Sequence, residues 1–130
     1  MIKKLKRHAK SARSNAYVPY SGFSLGAALL TDSGKIFTGC NIEIASYGLT
    51  NCAERTAIFN AVSEGEKNFK VLLLLADTDE PIFPCGSCRQ VIEEFTNNMD
   101  IILCTSGGEE LIVNSGELLP SAFSKGDLKI

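Results

Sequence analysis

The sequence predicts an α/β protein with three layers, in which helices cover both faces of a five-stranded mixed sheet. Two observations lead to this prediction. Segments with helical spacing of apolar residues alternate with short apolar runs, as expected when helices connect the strands of one sheet. Residues 71–76 are apolar throughout, as in a central strand that is covered on both faces. With 45% hydrophobic residues, we expect residues 1–130 to form a single domain with its own core.

The first half of the chain is predicted to form a helix, a hairpin and a second helix. Apolar residues recur at helical spacing from Ile2 onwards, and Pro19 and Gly22 break this pattern. Residues 32–34 have the composition of a tight hairpin turn. The predicted elements are a helix at 2–15, strands at 23–31 and 35–42, and an alanine-rich helix from 51 or 52 to about 63.

The second half continues the alternation with shorter elements. Pro84 marks the entry of a helix, and Gly107 with Gly108 favours a turn. The predicted elements are strands at 71–76 and 101–104, a helix at 85–95, an edge strand at 111–113 and a short helical turn that ends at Pro120.

Charge and composition argue against several classes of function. The net charge is -2, which gives no general attraction to nucleic acid. Near the N-terminus, basic residues alternate with apolar ones at helical spacing, and a solvated helix face is favoured over a polyanion site. These basic residues are Lys3, Lys4, Lys6, Arg7, Lys10 and Arg13. Without a secretory signal or a long apolar run, we expect a cytosolic protein that binds neither nucleic acid nor membranes.

Three cysteines indicate a metal site. The chain has five cysteines, an odd number, which in a cytosolic protein favours metal or redox chemistry over a disulfide framework. Cys52 and Cys85 lie where loops become helices, and the free N–H groups there favour the thiolate form that binds metals. Cys85 and Cys88 share one helix face and can reach a single ion. Three thiolates leave the fourth position of a zinc ion open to water, which is a catalytic arrangement.

Glu54 is the best candidate for proton transfer at such a site. It lies two residues after Cys52, whereas the only histidine, His8, belongs to the N-terminal helix. Arg55 and Arg89 flank the cysteines and could donate hydrogen bonds to sulfur, which would offset the negative charge of three thiolates. A surface salt bridge is the alternative for each arginine.

Three other interpretations of the cysteines stay open. A closed four-thiolate zinc site could use Cys40 or Cys104, although both lie in apolar strands where a free cysteine is usually a small buried hydrophobe. A redox Cys-x-x-Cys pair would leave Cys52 and Glu54 without a role. Purely structural cysteines would not explain the segment Pro84-Cys-Gly-Ser-Cys-Arg at a helix entry.

Several segments also match, in collinear order, the motifs of a known family. They are Tyr17-x-Pro-Tyr-Ser-x-Phe-x-x-Gly-Ala-Ala, Gly39-Cys-Asn-Ile-Glu, Asn51-Cys-Ala-Glu-Arg-Thr-Ala, Pro84-Cys-x-x-Cys and Leu118-Leu-Pro-x-Ala-Phe. Together they resemble the small, homotetrameric, zinc-dependent cytidine deaminases. The resemblance implies a cytidine-deaminase-like fold, one Zn²⁺ per chain, and hydrolysis of cytidine and 2′-deoxycytidine to uridine and 2′-deoxyuridine plus ammonia in pyrimidine salvage.

The resemblance assigns roles at the metal. Cys52, Cys85 and Cys88 would be the zinc ligands. Glu54 would take a proton from water, deliver it to N3 of the cytosine, and then protonate the amino group that leaves C4.

The resemblance also assigns residues that bind the substrate. Phe23 would pack on the cytosine ring, Asn41 and Glu43 would hold the ribose hydroxyls, and the backbone of Ala53 would contact the base edge. Without the resemblance, Phe23 would be interpreted as a core residue, and Asn41 and Glu43 as ordinary residues at a strand end.

Two further aromatic residues would reach into a neighbouring subunit's site. They are Tyr47 and Phe123, and in this role they imply a homotetramer with sites at subunit interfaces. Local packing is the alternative for both.

One position departs from the family pattern. The family usually has Asn-x-Glu-Asn at the sugar site, and Ile44 replaces the second asparagine. Asn41 and Glu43 are two apart on an extended segment and are expected to face the site, whereas Ile44 is expected to point away. The alternative functions are deamination of another aminopyrimidine nucleoside, such as blasticidin S, and a non-catalytic zinc-stabilised module.

Overall fold

The computed structural model describes residues 1–128 as three helices and five strands joined by short connections. The helices are α1 (Ile2–Arg13), α2 (Ala53–Ser63) and α3 (Gly86–Phe95). The strands are β1 (Leu25–Thr31), β2 (Ile36–Cys40), β3 (Phe69–Ala76), β4 (Asp100–Thr105) and β5 (Glu110–Asn114). Single 3₁₀ turns occupy Tyr47–Leu49, Ser115–Glu117 and Lys125–Leu128. Within this part of the chain, every helix is too short or too polar to cross a membrane.

The strands form one mixed sheet in the order β2-β1-β3-β4-β5. β3 and β4 run parallel, and the other neighbouring pairs are antiparallel. The parallel pair requires a crossover, which α3 provides between the two strands. The predicted five-stranded mixed sheet is confirmed, with segment 71–76 in its centre.

Helices cover both faces of this sheet. Leu72 and Leu73, consecutive residues of β3, point to opposite faces because of the strand pleat. Leu73 belongs to the core beneath α1, together with Leu5. Leu72 belongs to the core beneath α2 and α3, together with Ile58 and Ile92. Each fully buried leucine or isoleucine contributes about 1.5–3 kcal/mol to stability. The predicted three-layer α/β/α architecture is confirmed.

Two glycines let the helices approach the sheet closely. A Cβ atom on Gly39 of β2 would lie 2.5 Å from both the Ala53 carbonyl oxygen and the Ala57 nitrogen of α2. A Cβ atom on Gly26 of β1 would likewise overlap the Ala9 carbonyl oxygen of α1. A side chain at either position would displace the helix. Gly39 therefore fixes the distance between the sheet and the first turn of α2.

Some element ends differ from the predicted ones by one or two residues. β1 begins at Leu25 rather than at 23, because the Asn41 side chain bonds the Phe23 carbonyl and the Leu25 N–H. β2 ends before Ile42, which instead forms an isolated bridge with Asn51. Both differences concern the segments beside the predicted functional residues.

Candidate functional site

Three cysteine sulfurs meet where α2 and α3 begin. Cys52 is the N-cap residue of α2, Cys85 is the N-cap residue of α3, and Cys88 lies in the first turn of α3. The Cys52 and Cys85 Sγ atoms are 3.7 Å apart, and the Cys85 and Cys88 Sγ atoms are 3.4 Å apart. All three sulfurs lie within 4.8 Å of one another. The two helix N-termini add free N–H groups that favour anionic sulfur.

The spacing and chemistry of these sulfurs fit a zinc ion. Zinc–sulfur bonds of about 2.3 Å at tetrahedral angles place two sulfurs about 3.8 Å apart, close to the observed Cys52–Cys85 separation. A disulfide would require about 2.05 Å. Within residues 1–128, this group of metal-binding side chains includes neither Cys40 nor Cys104. The site therefore offers three cysteine ligands, which would leave a fourth position of a bound zinc ion open, and this favours catalytic zinc over a closed four-thiolate site.

The pKa values of Cys52 and Cys88 are shifted in opposite directions. The hydrogen bond with Cys88, followed by the contact with Arg55, lowers the pKa of Cys52 to about 5. The same contact with Cys52, together with burial, raises the pKa of Cys88. Arg55 Nη2 donates to Cys52 Sγ at 3.3 Å. The Arg55 guanidinium thus stabilises negative charge on Cys52, and a bound cation would favour the thiolate form of its cysteine ligands.

Glu54 presents a buried carboxylate beside this cluster. The side chain is 3% exposed and lies in the first turn of α2. Burial raises the pKa of Glu54 to about 7. Its Oε1 atom is buried without a hydrogen-bond partner among the described residues. Such an unsatisfied oxygen is costly in a folded protein, and it is typical of a group that serves a ligand or a reaction.

Arg89 makes contacts other than the predicted ones. Its Nε donates to the Pro84 carbonyl at 2.8 Å, and its Nη1 donates to the Leu118 carbonyl at 2.8 Å. The prediction that Arg89 contacts sulfur or a surface carboxylate is therefore wrong for the described chain. The arginine instead ties the loop before Cys85 to the segment after Ser115–Glu117, which steadies the second metal-binding loop.

Asn41 holds the segment that carries Phe23. Its Nδ2 donates to the Phe23 carbonyl at 2.7 Å, and its Oδ1 accepts from the Leu25 N–H at 2.9 Å. Asn41 is buried, whereas the Phe23 ring remains partly exposed. The amide thus fixes an aromatic ring at the surface, and it retains one N–H for a further acceptor.

Glu43 is oriented by the loop that precedes Phe23. Its carboxylate accepts hydrogen bonds from the N–H groups of Tyr20 and Ser21 and from the Ser21 hydroxyl. The Ser21 contacts are the main reason that the pKa of Glu43 is lowered. Glu43 also lines a cavity of about 350 Å³ together with Tyr47 and Thr50. A charged acceptor is therefore held at the wall of an open cavity.

Comparison with known proteins decides the family. Residues 1–105 match the family model described as the cytidine and deoxycytidylate deaminase zinc-binding region. The chain belongs to this deaminase family. Its relatives include the cytidine deaminase of Sporosarcina psychrophila, 53% identical over 98% of this chain and 94% of the relative. The cytidine deaminase of Halalkalibacterium halodurans is 48% identical over 94% of this chain and 93% of the relative.

The fold agrees with that of a solved deaminase. The crystal structure of the cytidine deaminase from Burkholderia pseudomallei superposes with a TM-score of 0.91, at 46% identity, over 95% of this chain and 99% of that chain. The resemblance predicted from the sequence motifs is confirmed by both kinds of comparison. A zinc-binding family and a three-cysteine cluster together support zinc as the cofactor.

Two aromatic residues that the family resemblance predicts to reach a neighbouring subunit's site are highly exposed. Tyr47 is 73% exposed and Phe123 is 59% exposed. The Tyr47 ring contacts Tyr20 edge-on, with ring centroids 5.8 Å apart. Phe123 lies beside Phe59 on the outer surface of α2 and α3 and does not line the Glu43 cavity. A single chain therefore does not bring Phe123 to the predicted sugar site.

Ser21, which the sequence analysis did not single out, contacts two of the predicted site residues. Ser21 bonds Glu43, and its hydroxyl also accepts from the Phe23 N–H at 3.0 Å. It thus connects the predicted sugar contact with the predicted base contact. A serine after a Pro-Tyr pair in a turn was the available signal, because serine commonly bonds nearby backbone groups there.

Proposed function

We propose that this chain catalyses the hydrolytic deamination of cytidine and 2′-deoxycytidine to uridine and 2′-deoxyuridine, with release of ammonia, in pyrimidine salvage. One observation carries the proposal: the buried, partnerless carboxylate oxygen of Glu54 lies beside a three-sulfur cluster at two helix N-termini. The cytidine deaminases to which the chain is similar support the choice of substrate.

The metal supplies one part of the chemistry. When bound by Cys52, Cys85 and Cys88, zinc acts as a Lewis acid with an open position and makes a water molecule more acidic. The three thiolates that hold it carry much negative charge, and Arg55 offsets part of this charge at Cys52.

Glu54 moves the protons. The carboxylate takes one proton from the water that attacks C4 and delivers it to N3 of the cytosine. It then takes the second proton from the oxygen now bonded to C4 and gives it to the amino group, which leaves as ammonia while that oxygen becomes the C4 carbonyl. Only a group within hydrogen-bond reach of both the water and the base can do this, and the position of Glu54 directly after Ala53 at the start of α2 suits it. Water and cytidine are consumed, and uridine and ammonia are produced.

The neighbouring loops bind the nucleoside. Phe23 packs on the cytosine ring, and the backbone of Ala53 contacts the base edge. Asn41 donates its remaining amide N–H to a ribose hydroxyl, and Glu43 accepts from one. The support for this arrangement is that Asn41 holds Phe23, and that Ser21 connects Glu43 with the same loop.

The protein acts as a homotetramer in the cytoplasm, with sites at subunit interfaces. The exposure of Tyr47, Phe59 and Phe123 supports an assembly, because partners would cover these large apolar rings. Tyr47 and Phe123 reach the site of a neighbouring subunit in this arrangement.

A panel of substrates tests the function. Zinc-loaded protein should lower the ultraviolet absorbance of cytidine and 2′-deoxycytidine, and should leave a short single-stranded oligonucleotide unchanged. Blasticidin S is included to test the alternative substrate class. Absence of turnover with every nucleoside, in protein shown to contain zinc, would refute the proposed function.

A further inference from the structure

A second cavity, of about 450 Å³, lies on the α1 face of the sheet. Its walls are the polar flank of α1 and the loops that follow the parallel strands β3 and β4. The buried Leu75 of β3 forms its apolar floor. The metal cluster lies among α2 and α3, which cover the other face, so the two sites share no lining residue.

Four cations line this basic cavity. Lys6, Lys10 and Arg13 are spaced by four and three residues and so lie on one flank of α1, with Arg7 adjacent to them. Among residues 1–128, Asp77 is the only carboxylate in the lining, although the chain as a whole has a net charge of -2. The cavity is therefore a local concentration of positive charge on an acidic protein.

Two of these cations are already engaged. Lys6 Nζ lies 2.6 Å from the Glu110 carboxylate. Arg13 donates to the Ser106 hydroxyl at 2.9 Å and lies 4.0 Å from the Asp77 carboxylate. These contacts fix the shape of the cavity by joining α1 to β5 and to both loops.

The other two cations have no such partner. Among residues 1–128, neither Arg7 nor Lys10 lies within 4.0 Å of a carboxylate. The helix dipole stabilises positive charge near the C-terminal end of α1, where Lys10 and Arg13 lie. Arg7 lies in the middle of α1, where the dipole gives its charge no such stabilisation. The Arg7 and Lys10 side chains are exposed to solvent, and an anion in the cavity would interact with both at once.

The opposite wall is a glycine turn and a serine hydroxyl. Gly108, whose φ is +100°, donates its N–H to the Thr105 carbonyl within this turn. The Ser106 hydroxyl accepts from Arg13 and donates only a long hydrogen bond, of 3.4 Å, to the Ala76 carbonyl, which an anion in the cavity can replace. Ligands of α/β proteins commonly lie at the carboxyl ends of parallel strands, which is where these residues stand. Cations, a hydroxyl and a tight glycine turn are the usual components of a phosphate site.

We propose that this basic cavity binds the phosphoryl group of a small molecule. The volume is within the range of about 300–1,000 Å³ that is typical of small-molecule sites, so it can hold more than a bare phosphate ion. A compact cluster of four cations around one open cavity suits a small phosphate ester better than a nucleic acid, which needs a continuous basic surface. Deamination does not use this cavity.

Calorimetric titration of zinc-loaded protein with three probes tests the proposal: inorganic phosphate, pyrophosphate and CTP. The double variant Arg7→Gln/Lys10→Gln removes the two unpartnered cations. The matched control, Lys3→Gln/Lys4→Gln, removes two cations from the same helix that do not line the cavity. We expect saturable binding of at least one probe, about tenfold or more weaker in the cavity variant and unchanged in the control.

Further measurements show whether the probes bind at this cavity and whether the variants remain folded. Amide chemical shifts of Ser106 and Gly108 should move on titration, and the zinc content should stay constant, which excludes stripping of the metal by pyrophosphate or CTP. Cytidine turnover without added anion should be the same in both double variants and shows that they fold. Absence of saturable binding by all three probes, or equal weakening in both variants, would overturn the proposal. Which probe binds most tightly distinguishes free phosphate from a phosphorylated metabolite.

Discussion

The Nη2 atom of Arg55 lies 3.3 Å from the Sγ atom of Cys52, so the residue that follows Glu54 touches the first cysteine of the metal cluster. The guanidinium is half-buried, and its Nε has no hydrogen-bond partner among the described residues. Arg55 is thus placed to stabilise negative charge on the Cys52 sulfur. This contact would reduce the electron density that the sulfur gives to a bound metal ion.

Replacing Arg55 should weaken metal binding. In Arg55→Gln, the Cys52 thiolate loses its cationic donor, and we expect zinc affinity to fall by about 10–100-fold, as for other groups that support metal ligands. Competition with a chromophoric chelator measures this affinity. Arg7→Gln, which removes a guanidinium far from the cluster, is the control, and an equal loss in both variants would mean that Arg55 has no specific role.

Glu54→Gln should separate catalysis from metal binding. The amide has nearly the same shape but cannot carry a proton, so we expect turnover of cytidine to fall by about 10²–10⁴-fold or more while zinc content stays at one ion per chain. Metal analysis and an absorbance assay on the same sample measure both quantities. Full activity in this variant would show that another group moves the protons.

Serine substitutions of the five cysteines should divide into two groups. Cys52→Ser, Cys85→Ser and Cys88→Ser should each lose most of the bound zinc, because a hydroxyl is a poor ligand at neutral pH. Cys40→Ser and Cys104→Ser should retain one zinc per chain, since these two residues lie outside the cluster. Loss of metal from either of the latter would favour a closed four-thiolate site.

A methyl group on Gly39 should destabilise the start of α2. Because the new Cβ would lie 2.5 Å from backbone atoms of Ala53 and Ala57, we expect Gly39→Ala to lower the free energy of unfolding by about 1–3 kcal/mol, measured in urea. Zinc affinity should also fall, since Cys52 caps this helix. Gly107→Ala is the control, because its Cβ would meet only Thr105 Oγ1, at 3.9 Å.

Mixed oligomers test whether Phe123 acts in a neighbouring site. Phe123→Ala and Glu54→Gln chains should each have low activity alone. A Phe123→Ala chain keeps its own Glu54, and an adjacent Glu54→Gln chain offers an intact Phe123, so co-expressed chains should exceed the summed activities of the two parents. Light scattering must show a tetramer in each sample. A mixture that is only additive would mean that Phe123 packs locally.

The sequence was sufficient for what depends on local pattern and motif. Alternation of apolar runs predicted the sheet, and cysteine spacing predicted the Cys52–Cys85–Cys88 cluster. Contacts between segments that are distant in the sequence could not be predicted from such patterns. The attachment of Arg89 to the Leu118 carbonyl depends on how the chain returns to α3, and no local pattern indicates it.

The basic cavity was another feature that local sequence pattern could not predict. Its cations were visible in the sequence, and the pattern favoured a solvated helix face. The loop that converts this face into the wall of a cavity contains Ser106, 93 residues away from Arg13. Packing between segments that are distant in the sequence thus makes the basic face of α1 part of a cavity wall, and helical periodicity cannot predict this.

Cys52 and Cys85 cap two different helices, and the central strand β3 lies between them in the chain. An ion held by both would act as a removable cross-link. It would close a long loop in the folded chain only, so its binding free energy would add to the stability of the fold, whereas a disulfide acts mainly by restricting the unfolded chain. Loss of the ion would release both helix starts together, so the lifetime of the folded chain would follow the availability of metal around it.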